Sequence, residues 1–305
     1  MSDFVKNAST ENLTKVVHPL IGYGKAFASF GEVVQGRLRS GDDFLITLPV
    51  DMWSACEVTC LPVSGQSRVN CTYWKSRMVA ERMLKHLNKV VGYELTIKFT
   101  RDIPIGKGLS SSTADMLAVV RALQEIFGVI VTENFVSRLF SSIEPHDALH
   151  YYMSVAYNHR EGVLLRKMYH IPQYHIIALD DGGTIDTEDY NKNLCFSEED
   201  LTAFDELYLG VCNAFDGRDD QEIARCASKA TEFHLRRSGR AILQATLDLA
   251  DRWNALGVVT AHSGTCVGLL YPKYMDSGQV RKIQDIVANE TGMPCFSTQT
   301  LEILY

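Results

Sequence analysis

Pro104-Ile105-Gly106-Lys107-Gly108-Leu109-Ser110-Ser111-Ser112-Thr113-Ala114-Asp115 is the stretch from which the fold of this chain is read. Ahead of it, Tyr93, Leu95, Ile97 and Phe99 alternate with Glu94, Thr96, Lys98 and Thr100, the period of a half-buried strand. Behind it, Met116, Val119, Val120, Leu123 and Phe127 share one helical face, and Gly128 stands where a C-terminal cap belongs. A small-residue loop therefore joins a strand to a helix, with three serines and a threonine at the helix entry. The first turn of a helix offers free N–H groups and a partial positive charge. Two glycines let a phosphate approach the backbone, Lys107 adds a cation, and a serine hydroxyl can ligate Mg²⁺. These are the parts of a triphosphate cradle. The same small residues also suit a capped helix after a tight turn. Lysine between two glycines, ahead of a serine run, favours phosphate. The P-loop pattern is excluded, because it needs Ser or Thr directly after Gly-Lys and Gly108 follows Lys107. Neither His-Arg-Asp nor Asp-Phe-Gly occurs, which excludes a protein kinase.

A chain of 305 residues holds one large domain or two ordinary ones. Hydrophobic content of 46% with 22% charged residues describes a soluble globular protein. A net charge of −7 argues against a nucleic-acid partner. The eight cysteines form no Cys-x-x-Cys pair, so zinc is not expected, and free thiols suit a reducing cytoplasm. No apolar h-region follows Met1, and no run of 18 apolar residues exists, so neither a secretory signal nor a membrane span is expected.

Residues 1–20 read as a loose polar arm. Residues 26–36 read as a strand and a turn, with one acid and one amide among small residues. Strands are predicted at 44–50 and 52–60, and a helix over 73–91 whose methionines fill core. Thr132-Glu133-Asn134 opens a helix that Pro145 ends. Glu144 and Asp147, with His146 between them, then stand at a helix C-terminus, where negative charge opposes the macrodipole. A metal ion or a substrate cation would compensate them; a solvated acidic turn is the alternative. Residues 174–180 read as a strand ending in an Asp181-Gly182-Gly183 turn, not a metal site. Helical stretches follow at 197–213, 219–236 and 239–256, with Lys229, Arg236, Arg237 and Arg240 as a solvated basic face. Val258 to Tyr271 reads as a hairpin about a Ser-Gly turn, followed by a helix at 278–290 and a terminal strand at 300–305.

Pro104, Gly108, Leu109, Ser111 and Ser112 fit Pro-x-x-x-Gly-Leu-x-Ser-Ser-Ala, and the loop resembles the nucleotide loop of the GHMP kinases (galactokinase, homoserine kinase, mevalonate kinase, phosphomevalonate kinase). Thr113 replaces the alanine. The wording Lys-Gly-Leu-x-Ser-Ser-Thr-Ala-Asp over Lys107–Asp115 is similar to the L-threonine kinase branch of that family. So is Ser-Ile-Glu-Pro-x-Asp over Ser142–Asp147. Ala26, Ser29, Gly31, Glu32, Gln35 and Gly36 resemble the family's first motif, with Phe27 in place of proline. Ala261 to Leu269 resembles the third motif, and together the likeness spans roughly residues 22–272.

The resemblance implies a two-domain α+β GHMP kinase fold. Its N-terminal ATP-binding domain, of the ribosomal-protein-S5-like α/β type, would span residues 1–165, and a C-terminal ferredoxin-like α+β domain residues 166–305. The boundary is expected within 155–173. It further implies that ATP, with Mg²⁺, phosphorylates a small alcohol, for which the protein mainly positions reactants and neutralises charge. Pro104, Gly106, Lys107, Gly108, Leu109, Ser110, Ser111 and Ser112 would bind ATP. Ser112 and Glu144 would hold Mg²⁺. Asp147 would accept or orient the alcohol proton, with Lys107 beside it as a catalytic cation. Ser29, Glu32, Ser263, Gly264 and Thr265 would face the substrate, Glu32 holding an α-ammonium group. The expected product is O-phospho-L-threonine, which can feed cobalamin side-chain synthesis. Homoserine, serine or another biosynthetic alcohol is the alternative acceptor, and a silent binding protein on the same scaffold the alternative role. No nucleic-acid or membrane partner is expected, and a homodimer is left open.

Overall fold

The structure is a computed structural model and describes residues 18–183, 196–261 and 264–302. Its frame is one sheet of ten strands. In chain order they are β1 (Leu20–Arg37), β2 (Asp43–Gln66), β3 (Arg68–Asn70), β4 (Val91–Arg101), β5 (Val155–Asn158), β6 (Val163–Lys167), β7 (Tyr174–Asp180), β8 (Gly257–Thr260), β9 (Cys266–Pro272) and β10 (Cys295–Gln299). The path runs β10-β7-β9-β8-β1-β2-β4-β3, with the β5–β6 hairpin attached to β2. Helices α1 (Trp74–His86), α2 (Ser111–Phe127) and α3 (Glu133–Ser141) belong to the first part of the chain. Helices α4 (Glu198–Gly217), α5 (Asp220–Ser238), α6 (Ala241–Arg252) and α7 (Ser277–Thr291) belong to the second.

Helix boundaries follow capping chemistry. Thr132 caps α3 by accepting from the Phe135 N–H, Ser197 and Asp200 form a capping box on α4, and Asp219 and Asp276 cap α5 and α7. Gly128, Gly239 and Gly292 close α2, α5 and α7 in the left-handed conformation. Helix α2 is apolar over most of its circumference and buries Ala114, Met116, Leu117, Val119, Val120 and Leu123. It lies directly on β1 because Gly24 has no side chain: a Cβ there would stand 1.8 Å from the Ala118 carbonyl oxygen. Each large apolar side chain buried in this layer contributes about 1.5–3 kcal/mol.

Four expectations change. Residues 26–36 are not a strand and a turn but the later part of the single strand β1, which stays in the sheet through register shifts after Phe27, Ser29 and Glu32. The strands expected at 44–50 and 52–60 are likewise one, β2, paired on both sides by β1 and β4. A strand lies ahead of the one expected at 300–305, at Cys295–Gln299, where the backbone pairs with β7; Thr300 makes a lone bridge to Val50, and residues 303–305 lie outside the described residues. Helix α1 is also shorter than expected and stops at His86. The arm of residues 1–17 lies outside the described residues.

Besides the Val50–Thr300 bridge, the two halves of the sheet meet at one junction between named strands. β1 pairs with β8 through Glu32 and Thr260 alone among the described residues. Gly31, beside it, adopts φ +51, and a Cβ there would stand 2.4 Å from the Thr260 carbonyl oxygen. The seam of the sheet is thus set at the acid of the first motif.

Candidate active site

The bulge in β1 aims Glu32. Ser29 is fully buried; its hydroxyl donates to the Gly31 carbonyl at 2.9 Å and accepts the Leu48 N–H at 3.0 Å. These bonds replace ladder bonds lost where two extra residues enter the strand. Glu32, 6% exposed, is turned into a cavity of about 270 Å³. Ser29 therefore shapes the wall and does not reach the cavity.

The Gly-Lys-Gly loop closes onto both other motifs. Gly108 has φ +77, and a Cβ on it would stand 2.5 Å from the Ala261 Cβ and 2.8 Å from the Gly264 Cα. The Gly31 N–H donates to the Gly108 carbonyl at 3.3 Å, and the Cys266 N–H to the Lys107 carbonyl at 3.3 Å. All three motifs named from the sequence thus touch at Lys107–Gly108. Ser110, the N-cap of α2, sits at φ 59 and ψ 25, a left-handed conformation that is rare outside glycine and asparagine. Its hydroxyl does not cap the helix but bonds the Asp147 carboxylate.

Glu32, Gln35, Leu45, Lys75 and His159 line the 270 Å³ cavity together with Gly106, Gly108, Leu109, Ser110, Ser111, Ser112, Glu144 and Asp147. Two elements carry the acids there. Helix α3 ends at Ser141, and Pro145 holds the following chain extended, so Glu144 and Asp147 leave the helix into the cavity. The Ser112 hydroxyl donates to Glu144 Oε1 at 2.6 Å, and the Lys75 ammonium bonds Glu144 Oε2. Burial, with the negative charges of Glu32 and Glu144, pushes the Asp147 carboxyl up to about 7, against the pull of the Ser110 hydroxyl. His146 turns away. Its Nε2 meets the Tyr157 hydroxyl at 3.2 Å, and burial brings its imidazole down to about 4, a neutral core residue.

Other expected residues are placed elsewhere. The Lys107 ammonium is 2.7 Å from Asp180 Oδ2 and donates to the Gly183 carbonyl at 3.1 Å, so its charge faces away from the cavity. Burial alone would raise Asp180, but bonds from Lys107, Thr265 and the Gly182 N–H hold it below the usual carboxylate range. Thr265 is buried and donates to Asp180 Oδ1 at 2.6 Å. Gly264 serves the loop contact and gives its carbonyl to Arg240 at 2.9 Å. Arg240, expected on a solvated face, therefore braces the third motif and pairs with Asp181 at 3.3 Å. Neither Pro104 nor the Lys107 side chain lines the cavity. Ser263 lies outside the described residues. No motif contains Lys75 and no spacing pointed to it or to His159; Gln35 stood in a motif but carried no role.

A second cavity of about 180 Å³ opens beside the first, lined by Tyr73, Trp74, Lys75, Arg101, Ile105, Ser111 and Ser112. Its wall is apolar and aromatic, with Arg101 stacked 4.3 Å from the Tyr73 ring centroid and paired to buried Asp115 at 3.0 Å. Asp115 also accepts the Ser54 hydroxyl at 2.6 Å, so its role is structural. The two cavities share Lys75 of α1, Ile105, and Ser111 and Ser112 at the N-terminus of α2.

The donor set of Ser112 and Glu144 suits Mg²⁺, which takes hard oxygen ligands and leaves most positions to phosphate and water. Among the described residues no group of three or more His, Cys, Asp or Glu side chains could hold a metal by itself. All seven described cysteines are free. No helix among the described residues is long and apolar enough to cross a membrane.

Over 250 residues the chain is 28% identical to an L-threonine kinase of Salmonella typhimurium, covering 80% of each chain. Over 248 residues it is 26% identical to an L-threonine kinase of Citrobacter freundii, covering 80% of this chain and 84% of that one. Among solved structures, the homoserine kinase from Cytophaga hutchinsonii superposes with a TM-score of 0.70 at 14% identity, over 92% of this chain and 95% of that one. Mevalonate pyrophosphate decarboxylase from Streptococcus pyogenes superposes with a TM-score of 0.71 at 11% identity, over 94% and 98%. A decarboxylase among the neighbours means that fold alone does not decide the reaction. Residues 74–152 match the model of the GHMP kinases N terminal domain, and the chain has the fold of the solved GHMP kinases.

Proposed function

We propose that the chain is an ATP-dependent kinase that phosphorylates the side-chain hydroxyl of L-threonine, releasing O-phospho-L-threonine and ADP. One observation carries it: a serine-rich helix N-terminus, a Ser112–Glu144 oxygen pair and the carboxyl of Asp147 line a single cavity. The likeness to two L-threonine kinases supports the choice of acceptor.

In this reading the N–H groups of the Gly106–Ser112 loop and the first turn of α2 take the triphosphate. The apolar 180 Å³ cavity takes the base. Mg²⁺, held by Ser112 and Glu144, neutralises phosphate charge when bound. Asp147 receives the hydrogen bond of the acceptor hydroxyl and orients it for in-line attack. Its raised pKa suits proton acceptance near neutrality. Glu32 faces the α-ammonium group, and Ser29 holds Glu32 there through the bulge. Lys107 acts through its backbone and through Asp180. We further read the chain as two domains meeting near residue 165, with the cavity close to the Glu32–Thr260 seam.

The test is ADP release from ATP and Mg²⁺ with L-threonine, D-threonine, L-serine, L-homoserine and mevalonate. Turnover is expected with L-threonine and is expected to fall by about 10²–10⁴-fold in Asp147→Asn, the range of a general base. Turnover that survives this substitution removes the proton role and leaves the kinase. Turnover on another alcohol alone discards threonine.

A further inference from the structure

Lys75 is the one lysine or arginine among the described residues that lines the 270 Å³ cavity, and it lines the adjoining 180 Å³ cavity as well. Its ammonium is bonded to Glu144 Oε2, while Glu144 Oε1 accepts the Ser112 hydroxyl. The carboxylate that offers oxygens to a divalent cation is therefore already neutralised by a side chain. Lys75 is the second residue of α1, whose first turn contains no acid and whose N-cap Tyr73 makes no side-chain bond to the helix. A cation at that end opposes the macrodipole, so its place depends on an anion outside the helix. Glu144 is that anion here. Lys107, the cation of the motif, is committed to Asp180 and the Gly183 carbonyl.

Building on the kinase reading above, we propose that Lys75 is the phosphate-binding cation of this site. It neutralises Glu144 while the chain is free of nucleotide, and it turns its ammonium onto the terminal phosphates when Mg²⁺ takes the Ser112–Glu144 oxygens. A divalent ion and an ammonium on one carboxylate repel, and the phosphates that arrive with the metal are the nearest replacement anion. The exchange lets one lysine serve two anions in turn and prevents Glu144 from standing as an uncompensated charge in a half-buried cavity.

Binding, not turnover, tests this. Wild type, Lys75→Met and Lys75→Arg are titrated calorimetrically with the Mg²⁺ complex of a non-hydrolysable ATP analogue, and separately with Mn²⁺ alone, read by its paramagnetic resonance signal. Lys75→Met is expected to weaken the nucleotide complex about 10–100-fold, the loss of a hydrogen bond to a charged group, and Lys75→Arg to recover most of it. The same Lys75→Met is expected to bind Mn²⁺ alone about threefold or more tightly, because its competitor is gone. Equal nucleotide affinity in wild type and Lys75→Met overturns the proposal and leaves the kinase. Weakened nucleotide and weakened Mn²⁺ binding together also overturn it, making Lys75 a support for the Glu144 side chain only. A wild type that binds no adenine nucleotide removes the kinase reading and this proposal together.

Discussion

Ser110 is the residue on which the chemistry of Asp147 turns. It adopts φ 59 without being glycine, a conformation costing on the order of 1 kcal/mol, and its hydroxyl goes to Asp147 instead of capping α2. That bond favours the ionised carboxyl, while burial, Glu32 and Glu144 favour the protonated one and bring it to about 7. An ionised base is needed, so kcat/KM should rise with pH through about 7 and level off above it. Ser110→Ala keeps the backbone strain and removes the bond; the acid limb should move to higher pH by a fraction of a unit or more. Ser110→Gly should relieve the strain and shift the limb in the same direction. Asp147→Asn should abolish the limb. A limb unmoved in Ser110→Ala would mean that another group titrates. Stability carries the same sign: a carboxyl raised in the folded state opposes folding as pH rises from about 4 through about 7, so Asp147→Asn should gain thermal stability relative to wild type at pH 8 and lose the gain by pH 4. The acids at 144 and 147 and the serine run were legible because a helix end and a small-residue loop leave marks at fixed spacing. Lys75 and Asp180 were not, since each is joined to its partner only by folding, 69 residues away for Lys75.

Helix α2 and strand β1 set the depth of the loop. Gly22 and Gly24 lie under α2, and added Cβ atoms would stand 2.4 Å from the Ala122 carbonyl oxygen and 1.8 Å from that of Ala118. Both obstacles are backbone, so the helix itself must move. Gly24→Ala should destabilise the fold by about 1–3 kcal/mol, as overpacking does, and lift the N-terminus of α2 with Ser111 and Ser112. Chemical denaturation and nucleotide affinity should fall together; lost stability with unchanged affinity would show that α2 adjusts away from the cavity. The helices were legible from period and caps. The β1 bulge was not: its residues alternate poorly because Phe27, Ala28, Ser29 and Phe30 are all buried between sheet and helices, which hides the period of two. The joining of 44–50 to 52–60 was missed for the same reason, because Leu48, Val50 and Met52 face core on both sides of Asp51.

At the scale of the molecule, the phosphate loop spans the seam of the sheet. Among the described residues Glu32 with Thr260 is the one pair between named strands that joins the two halves of the sheet, and the Val50–Thr300 bridge is a second link. Lys107 and Gly108 reinforce it through the Gly31 and Cys266 amides and through the Lys107–Asp180 pair. The order of the three motifs was readable in the chain, but their meeting at one glycine was not, because tertiary contact is absent from linear spacing. Asp180→Asn isolates the side-chain part of this joint. It removes the charge that receives Lys107 and Thr265 and leaves the backbone bonds in place. Loss of about 1–3 kcal/mol is expected, as for a hydrogen-bonded charge whose partner stays. Because Asp180 is held below the usual carboxylate range, the wild-type advantage should be full above that range and vanish as pH falls through the lowered pKa. Amide hydrogen exchange places the effect. Faster exchange at Gly31 and Cys266, with Val58 and Leu95 in the β2–β4 pair unchanged, is expected if the pair holds the seam. Uniform acceleration would instead make it an ordinary contribution to global stability. No change at Cys266 would mean that the backbone bonds alone hold the loop to the second half, and the function of Lys107 would then lie outside the joint.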